Sequence, residues 1–374
     1  MIYFDNNATT AVSEEVFSHM LPFLQGNFAN PSSSHQWGQK NRHAIEEARQ
    51  QVASLLECEA DEIYFTGCAS EANNTLIKGI AHSHKHKGKH LITSSFEHPS
   101  VLRSCAYLEK NGYEVTYLPV SRDGQVSLED LEKSIRPDTI LISIMHANNE
   151  VGTIQDIAPM SALAAQKGIL FHSDAAQSVG KEKVSVKDLG VHMLTIAGHK
   201  FHAPKGIGAF YLKRDVEIEP LIHGTGHERG KRAGTENLPF CIALGKACAI
   251  IENTMESYRE RLCEMRDLLW NTIHHSCPDA VINGGQQRLS NTVNLSFPGL
   301  IGAEVLSLAP DIAASTGAAC TKKPGSFVLR AMGIEDEVAR GAIRFSLSKY
   351  NTQDEVLVAS EQIVTAVKKL QNKE

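Results

Sequence analysis

Residues 171–208, FHSDAAQSVGKEKVSVKDLGVHMLTIAGHKFHAPKGIG, decide the fold. They predict a short apolar strand ending at Asp174, an amphipathic connection, and a second apolar strand over 192–197. Gly198-His199-Lys200 follows directly. An acid closing one buried strand and a lysine just beyond the next have a specific joint use. The lysine amine can hold the aldehyde of pyridoxal phosphate as a Schiff base. The carboxylate keeps the ring nitrogen protonated, so that the ring accepts electrons from a substrate carbon. Acids at strand ends and lysines in loops are common, so the neighbours carry the weight. Gly198 permits close backbone approach, His199 can donate to a phosphate, and Gln177, three residues beyond Asp174, would face the same cleft from a helical turn.

Upstream of this stretch, strand and helix patterns alternate. Strands are expected over 62–66, 89–95, 114–119, 139–146 and 169–173, with helices over 98–110, 128–135 and 157–167. That rhythm predicts an α/β protein whose mostly parallel sheet carries helices on both faces. The turn Gly67-Cys68-Ala69-Ser70-Glu71 runs from a strand into a helix N-terminus, a ready phosphate site with unpaired backbone N–H groups and a Ser70 hydroxyl. His98 and Asn148-Asn149-Glu150 follow strands, at the carboxyl ends where open sheets place ligands. The tract His82, His84, His86 and His90 reads as a solvated helix end and loop rather than a metal site, because alternate helical positions do not converge on one ion.

At 374 residues the chain exceeds the usual size of one core, which predicts two domains. The expected division is a large domain over 13–255 and a smaller α+β domain formed by 1–12 and 256–374, with one long helix or two joined ones from 238 to about 275 as the hinge. The polar run after Phe4 is expected to cross toward the active site. A net charge of −6 argues against direct nucleic-acid binding, and no apolar run or leader signals a membrane or export, so a cytoplasmic protein is expected. The eight cysteines never form Cys-x-x-Cys, and no metal site is expected. Most suit a buried core, but Cys320 lies in the small-residue loop STGAACTKKPGS, where two lysines favour its thiolate. The glycine-rich loop 223–237 suggests an anion or subunit contact.

The motifs DNNATT, NPSSSH, TGCASEANN, EHPSVL, MHANNEVG, SDAAQSVG, GHKFHAPKGIG, HERGKRAGTEN, STGAAC and IRFSLSKYNT together resemble the cysteine desulfurase family, nearly end to end. This family belongs to the class V aminotransferase branch of fold type I pyridoxal phosphate enzymes. The resemblance implies that Lys200 forms the Schiff base, Asp174 pairs with the ring nitrogen, His98 stacks on the ring, and Asn149 and Gln177 hold its phenolic oxygen. Ala69, Ser70 and His199 would bind phosphate, Thr235 would reach in from the partner of a homodimer, and Arg344 would clamp the substrate carboxylate. Cys320 would take sulfur from L-cysteine as a persulfide, releasing alanine, and pass it to an acceptor protein serving iron–sulfur cluster assembly, tRNA thiolation or DNA modification. Ala197 stands where many desulfurases have a phosphate-binding serine. DLGVHMLTIAGHKF and AGTEN look more like selenocysteine lyases, the alternative on the same scaffold, and like the desulfurases that supply DNA sulfur modification.

Overall fold

The computed structural model describes residues 1–316 and 326–372. Its strands are β1 (Ile2–Tyr3), β2 (Ile63–Thr66), β3 (His90–Ser94), β4 (Glu114–Leu118), β5 (Thr139–Ser143), β6 (Leu170–Asp174), β7 (Met193–Ala197), β8 (Gly208–Leu212), β9 (Val281–Asn283), β10 (Thr292–Ser296), β11 (Ile312–Ala313) and β12 (Ala342–Ser346). Seven of them form the main sheet in the order β2-β8-β7-β6-β5-β3-β4. All are parallel except β8, which runs antiparallel to both β7 and β2. The ends of β2, β3, β5, β6 and β7 therefore open on one edge.

The central strands read as nearly unbroken apolar runs because helices cover both faces. Every residue of β7 is buried. The few polar side chains inside are satisfied across strands. Ser143 Oγ meets His172 Nδ1 at 2.8 Å, and His172 Nε2 meets Thr195 Oγ1 at 3.1 Å. Burial pushes His172 down to about 4, so it is a neutral link in this ladder.

The first two helices start on side-chain caps. Ser13 caps Glu14–Gln25 by accepting from Val16 N, and His35 Nδ1 caps Gln36–Leu56 by accepting from Gly38 N. His90 departs from the expectation for its tract. It opens β3 fully buried, with its two ring nitrogens on Thr139 and Thr116 hydroxyls. Two threonines on adjacent strands make this histidine an interior hydrogen-bonding group, while His82 and His86 remain near solvent.

A 39-residue helix, Leu238–Ser276, ties the layers together. Its first half, from Leu238 to Ile251, packs into the apolar cluster beneath the main sheet. Its second half, from Leu262 to Ile273, packs into a separate cluster with β10, β12 and the helix Gln353–Gln371. One window of this helix is apolar enough to cross a membrane by composition, which the sequence expectation had excluded, yet half of that window is buried within the protein. The second cluster also contains Ile2 and Phe4. The N-terminal segment reaches it because β1 pairs with β11, and Phe4 and Asn6 continue onto the end of β12 through backbone bonds to Ser346.

Candidate active site

Where the parallel strands end, a cleft of about 390 Å³ is lined by Ala69, Ser70, His98, Asn149, Asp174, Gln177, Ala197, His199, Lys200 and Arg344, together with Asp5 and Asn7. A larger surface depression, about 1080 Å³, runs beside residues 252–260 of the long helix and contains none of these groups. Chemistry, not volume, selects the cleft.

The last residue of β6 is Asp174, whose two oxygens are both engaged. Oδ1 accepts from Ala176 N at 3.0 Å and Oδ2 accepts from Asn73 Nδ2 at 2.7 Å. Asn73 projects from the helix Ala69–Ser83 and also donates to Ser100 Oγ, which meets His98 Nδ1 at 2.7 Å. Ser100 N donates to the same ring nitrogen. Nδ1 is therefore an acceptor, and the neutral ring carries its proton on Nε2. His98 is open to the cleft, yet the surrounding walls desolvate it enough to lower its pKa despite the opposing charge of Asp174.

Lys200 lies just past β7, in the one-turn helix Gly198–Lys200. Its Nζ donates to the backbone carbonyls of Asn7 at 2.6 Å and Ala8 at 2.8 Å. Burial, reinforced by the charge of Arg344, pushes its pKa down to about 8. The shift raises the share of free base, the form an aldehyde-binding lysine requires. Burial beside Lys200 likewise lowers His199 to about 4, and its Nδ1 contacts Thr9 Oγ1.

Part of the cleft wall is built by backbone at the start of a helix. Cys68 Sγ caps the helix Ala69–Ser83, whose first-turn N–H groups have no intrahelical acceptor. The turn can sit there because residue 208 is glycine. A Cβ at Gly208 would lie 2.8 Å from the Cys68 carbonyl carbon and 3.0 Å from Ala69 N. In the same cleft Arg344 is buried, ion-paired to Asp5 at 2.5 Å, and donates to Asn149 O at 3.0 Å, while its Nε has no hydrogen-bond partner among the described residues. Amine, carboxylate, helix start and guanidinium together fit pyridoxal phosphate and an amino-acid substrate.

Gln177 reaches the cleft from the expected single turn after β6, closed by bonds from Ser178 N and Val179 N to Ala175 O. Thr235 is exposed and lies away from the cleft, in a depression with Arg49, His227 and Glu228. Cys320 lies outside the described residues. Sequence reasoning missed three buried polar groups. Asn7 supplies acceptors to Lys200 and Gln177. Lys181 is fully buried behind Gln177. Glu97 is fully buried, accepts from Ser94 Oγ and Met145 N, and is raised by desolvation to about 8. Lysine and glutamate ordinarily mark surface, so only their adjacency to Gly180 and His98 offered a signal.

Comparison with known proteins agrees with this architecture. The aminotransferase class V family model matches residues 2–358, and the chain belongs to that family. A cysteine desulfurase IscS from Methanosarcina thermophila is 45% identical over 376 residues, covering 99% of this chain and 93% of the relative. Among solved structures, a NifS-like protein superposes with a TM-score of 0.93 at 37% identity, covering 98% of this chain and 99% of its own. SspA in complex with cysteine superposes with a TM-score of 0.85 at 38% identity, covering 94% of this chain and all of its own. Within class V the chain is a cysteine desulfurase, dependent on pyridoxal phosphate and using L-cysteine as sulfur donor. The selenocysteine lyase alternative is not favoured.

Proposed function

We propose that the reaction takes place in this cleft, with the roles implied by the sequence, and that sulfur leaves it on Cys320. The observation that carries the proposal is the convergence of the Lys200 amine, the Asp174 carboxylate and the start of the helix Ala69–Ser83 on one cavity. Pyridoxal phosphate supplies an electron sink through which cysteine loses its Cα proton and then its sulfur. Lys200 anchors the cofactor, and its Nζ, low in proton affinity, is suited to take and return the Cα proton. Asp174, held at both oxygens, keeps a ring nitrogen protonated. His98 covers the ring, Asn149 and Gln177 face its phenolic oxygen, and Ala69, Ser70 and His199 receive the phosphate. Ala197 offers a methyl where a hydroxyl donor is usual, leaving phosphate binding to those three.

Arg344 suits the substrate carboxylate, which would share or displace Asp5 on the guanidinium. The Cys320 thiolate attacks the substrate sulfur, the S–C bond breaks, and its electron pair ends on the carbon that is protonated to alanine. The persulfide then passes to an acceptor protein such as a cluster scaffold or a tRNA- or DNA-modification protein. A cytoplasmic homodimer divided into 13–255 and 1–12 with 256–374 suits this scheme. The two apolar clusters that meet along the long helix support that division.

Purified holoenzyme given L-cysteine and a reductant should release sulfide and alanine in equal amounts. Cys320→Ser should leave the cofactor band responsive to cysteine while abolishing sulfide release. Sulfide release undiminished in that variant would reject Cys320 as the sulfur carrier.

A further inference from the structure

Lys181 is fully buried four residues beyond Gln177, and its hydrogen bonds go to amide oxygens rather than carboxylates. Nζ donates to Gln177 Oε1 and to Asn7 Oδ1, both at 2.8 Å. An amide side chain can present oxygen or nitrogen to a neighbour, and its partners decide which. Asn7 Nδ2 is fixed by two acceptors, Thr292 Oγ1 and Asn149 O, so Oδ1 must turn to Lys181 and Asn291 Nδ2. Gln177 is fixed in the same sense. Its Nε2 donates to Asn7 O at 3.1 Å, and a flipped amide would set oxygen against that carbonyl and an N–H against the Lys181 amine.

We propose that Lys181 is a positioning residue whose amine locks the Gln177 amide, so that its remaining N–H, and not its oxygen, is offered to the cleft. This rests on the reading that the cofactor's phenolic oxygen faces Gln177. A donor there stabilises an oxygen carrying negative charge, whereas an amide oxygen would repel it. Depression of the lysine's own pKa by its buried surroundings, including the charges of Lys200 and Arg344, is consistent with an amine held for its hydrogen bonds rather than its charge.

The test uses the full-length protein stripped of cofactor and titrated with pyridoxal phosphate, reading the dissociation constant and the visible band. Lys181→Met keeps the length and removes the donors. Gln177→Glu leaves acceptors only. Each should raise the cofactor Kd about tenfold, or ~1.4 kcal/mol, and shift the band. The double variant should be no worse than either alone, and Lys181→Gln, which can donate two N–H bonds, should restore both readouts. Unchanged Kd and band in a folded Lys181→Met protein would make Lys181 a space filler and overturn the proposal. Should Lys181→Met fail to fold, unchanged values in Gln177→Glu would overturn it equally. A wild-type band that survives Lys200→Ala would reject the cleft assignment itself, a result distinct from both.

Discussion

At the residue scale, protonation of Lys200 decides when the cofactor can attach. An ordinary lysine is free base to under ~1% at pH 8, whereas one with its pKa near 8 is about half free base. Because burial has lowered this pKa, the attacking form increases with pH and saturates above that value. His98 and His199 are held below their ordinary values, so neither histidine gains charge beside Lys200 as the pH rises. Stopped-flow loading of stripped protein should therefore accelerate from pH 6.5 to 8 and level off by about pH 9. A rate still climbing at pH 10 would contradict the lowered pKa. Lys200, Asp174 and His98 were legible in the sequence because strand ends announce themselves through apolar runs. Lys181 and Glu97 were not, since nothing in a linear pattern separates a buried, hydrogen-bonded charge from a solvated one.

At the scale of elements, the helices Gln36–Leu56 and Leu238–Ser276 cross in close contact at Gly245. A Cβ at Gly245 would stand 2.5 Å from Ala48 Cα, a backbone neighbour that cannot swing aside. Alanine in place of glycine gains about 1 kcal/mol of helix propensity, but overpacking costs about 1–3 kcal/mol and this contact lies at the severe end. Gly245→Ala should lose about 1–2 kcal/mol, lowering Tm by roughly 1–3 °C in calorimetry. A rise in Tm would mean the helices can part freely. The rhythm of strands and helices was readable from hydrophobic period and caps. The reversal of β8 was not, because a short buried strand looks the same in either direction. The single turn after β6 that carries Gln177 to the cleft was readable from its three-residue spacing beyond Asp174.

At the scale of the whole molecule, Thr235 has its proposed work in another copy of the chain, as its distance from the cleft within one protomer allows. Arg49 and Glu228 form a buried ion pair at 2.7 Å beneath its loop, where Glu228 and Arg229 adopt left-handed φ of 44° and 52°. If Thr235 serves the partner, mixing the Lys200→Ala and Thr235→Ala proteins should regain activity well above either parent, because one site of each mixed dimer is then intact. Subunit exchange without any gain would confine Thr235 to its own chain. Long-range assembly was the least legible level, although the N-terminal crossing was foreseen from its polar run. That crossing has a further consequence, in the order of synthesis. Asn7, whose carbonyl receives the Lys200 amine, takes its own backbone anchor from Ser346 Oγ, 339 residues later. At roughly 5–20 residues per second, those residues wait on the order of 20–70 s for their support. A chain released early thus has no finished cleft in which to activate cysteine, so incomplete copies cannot liberate sulfide.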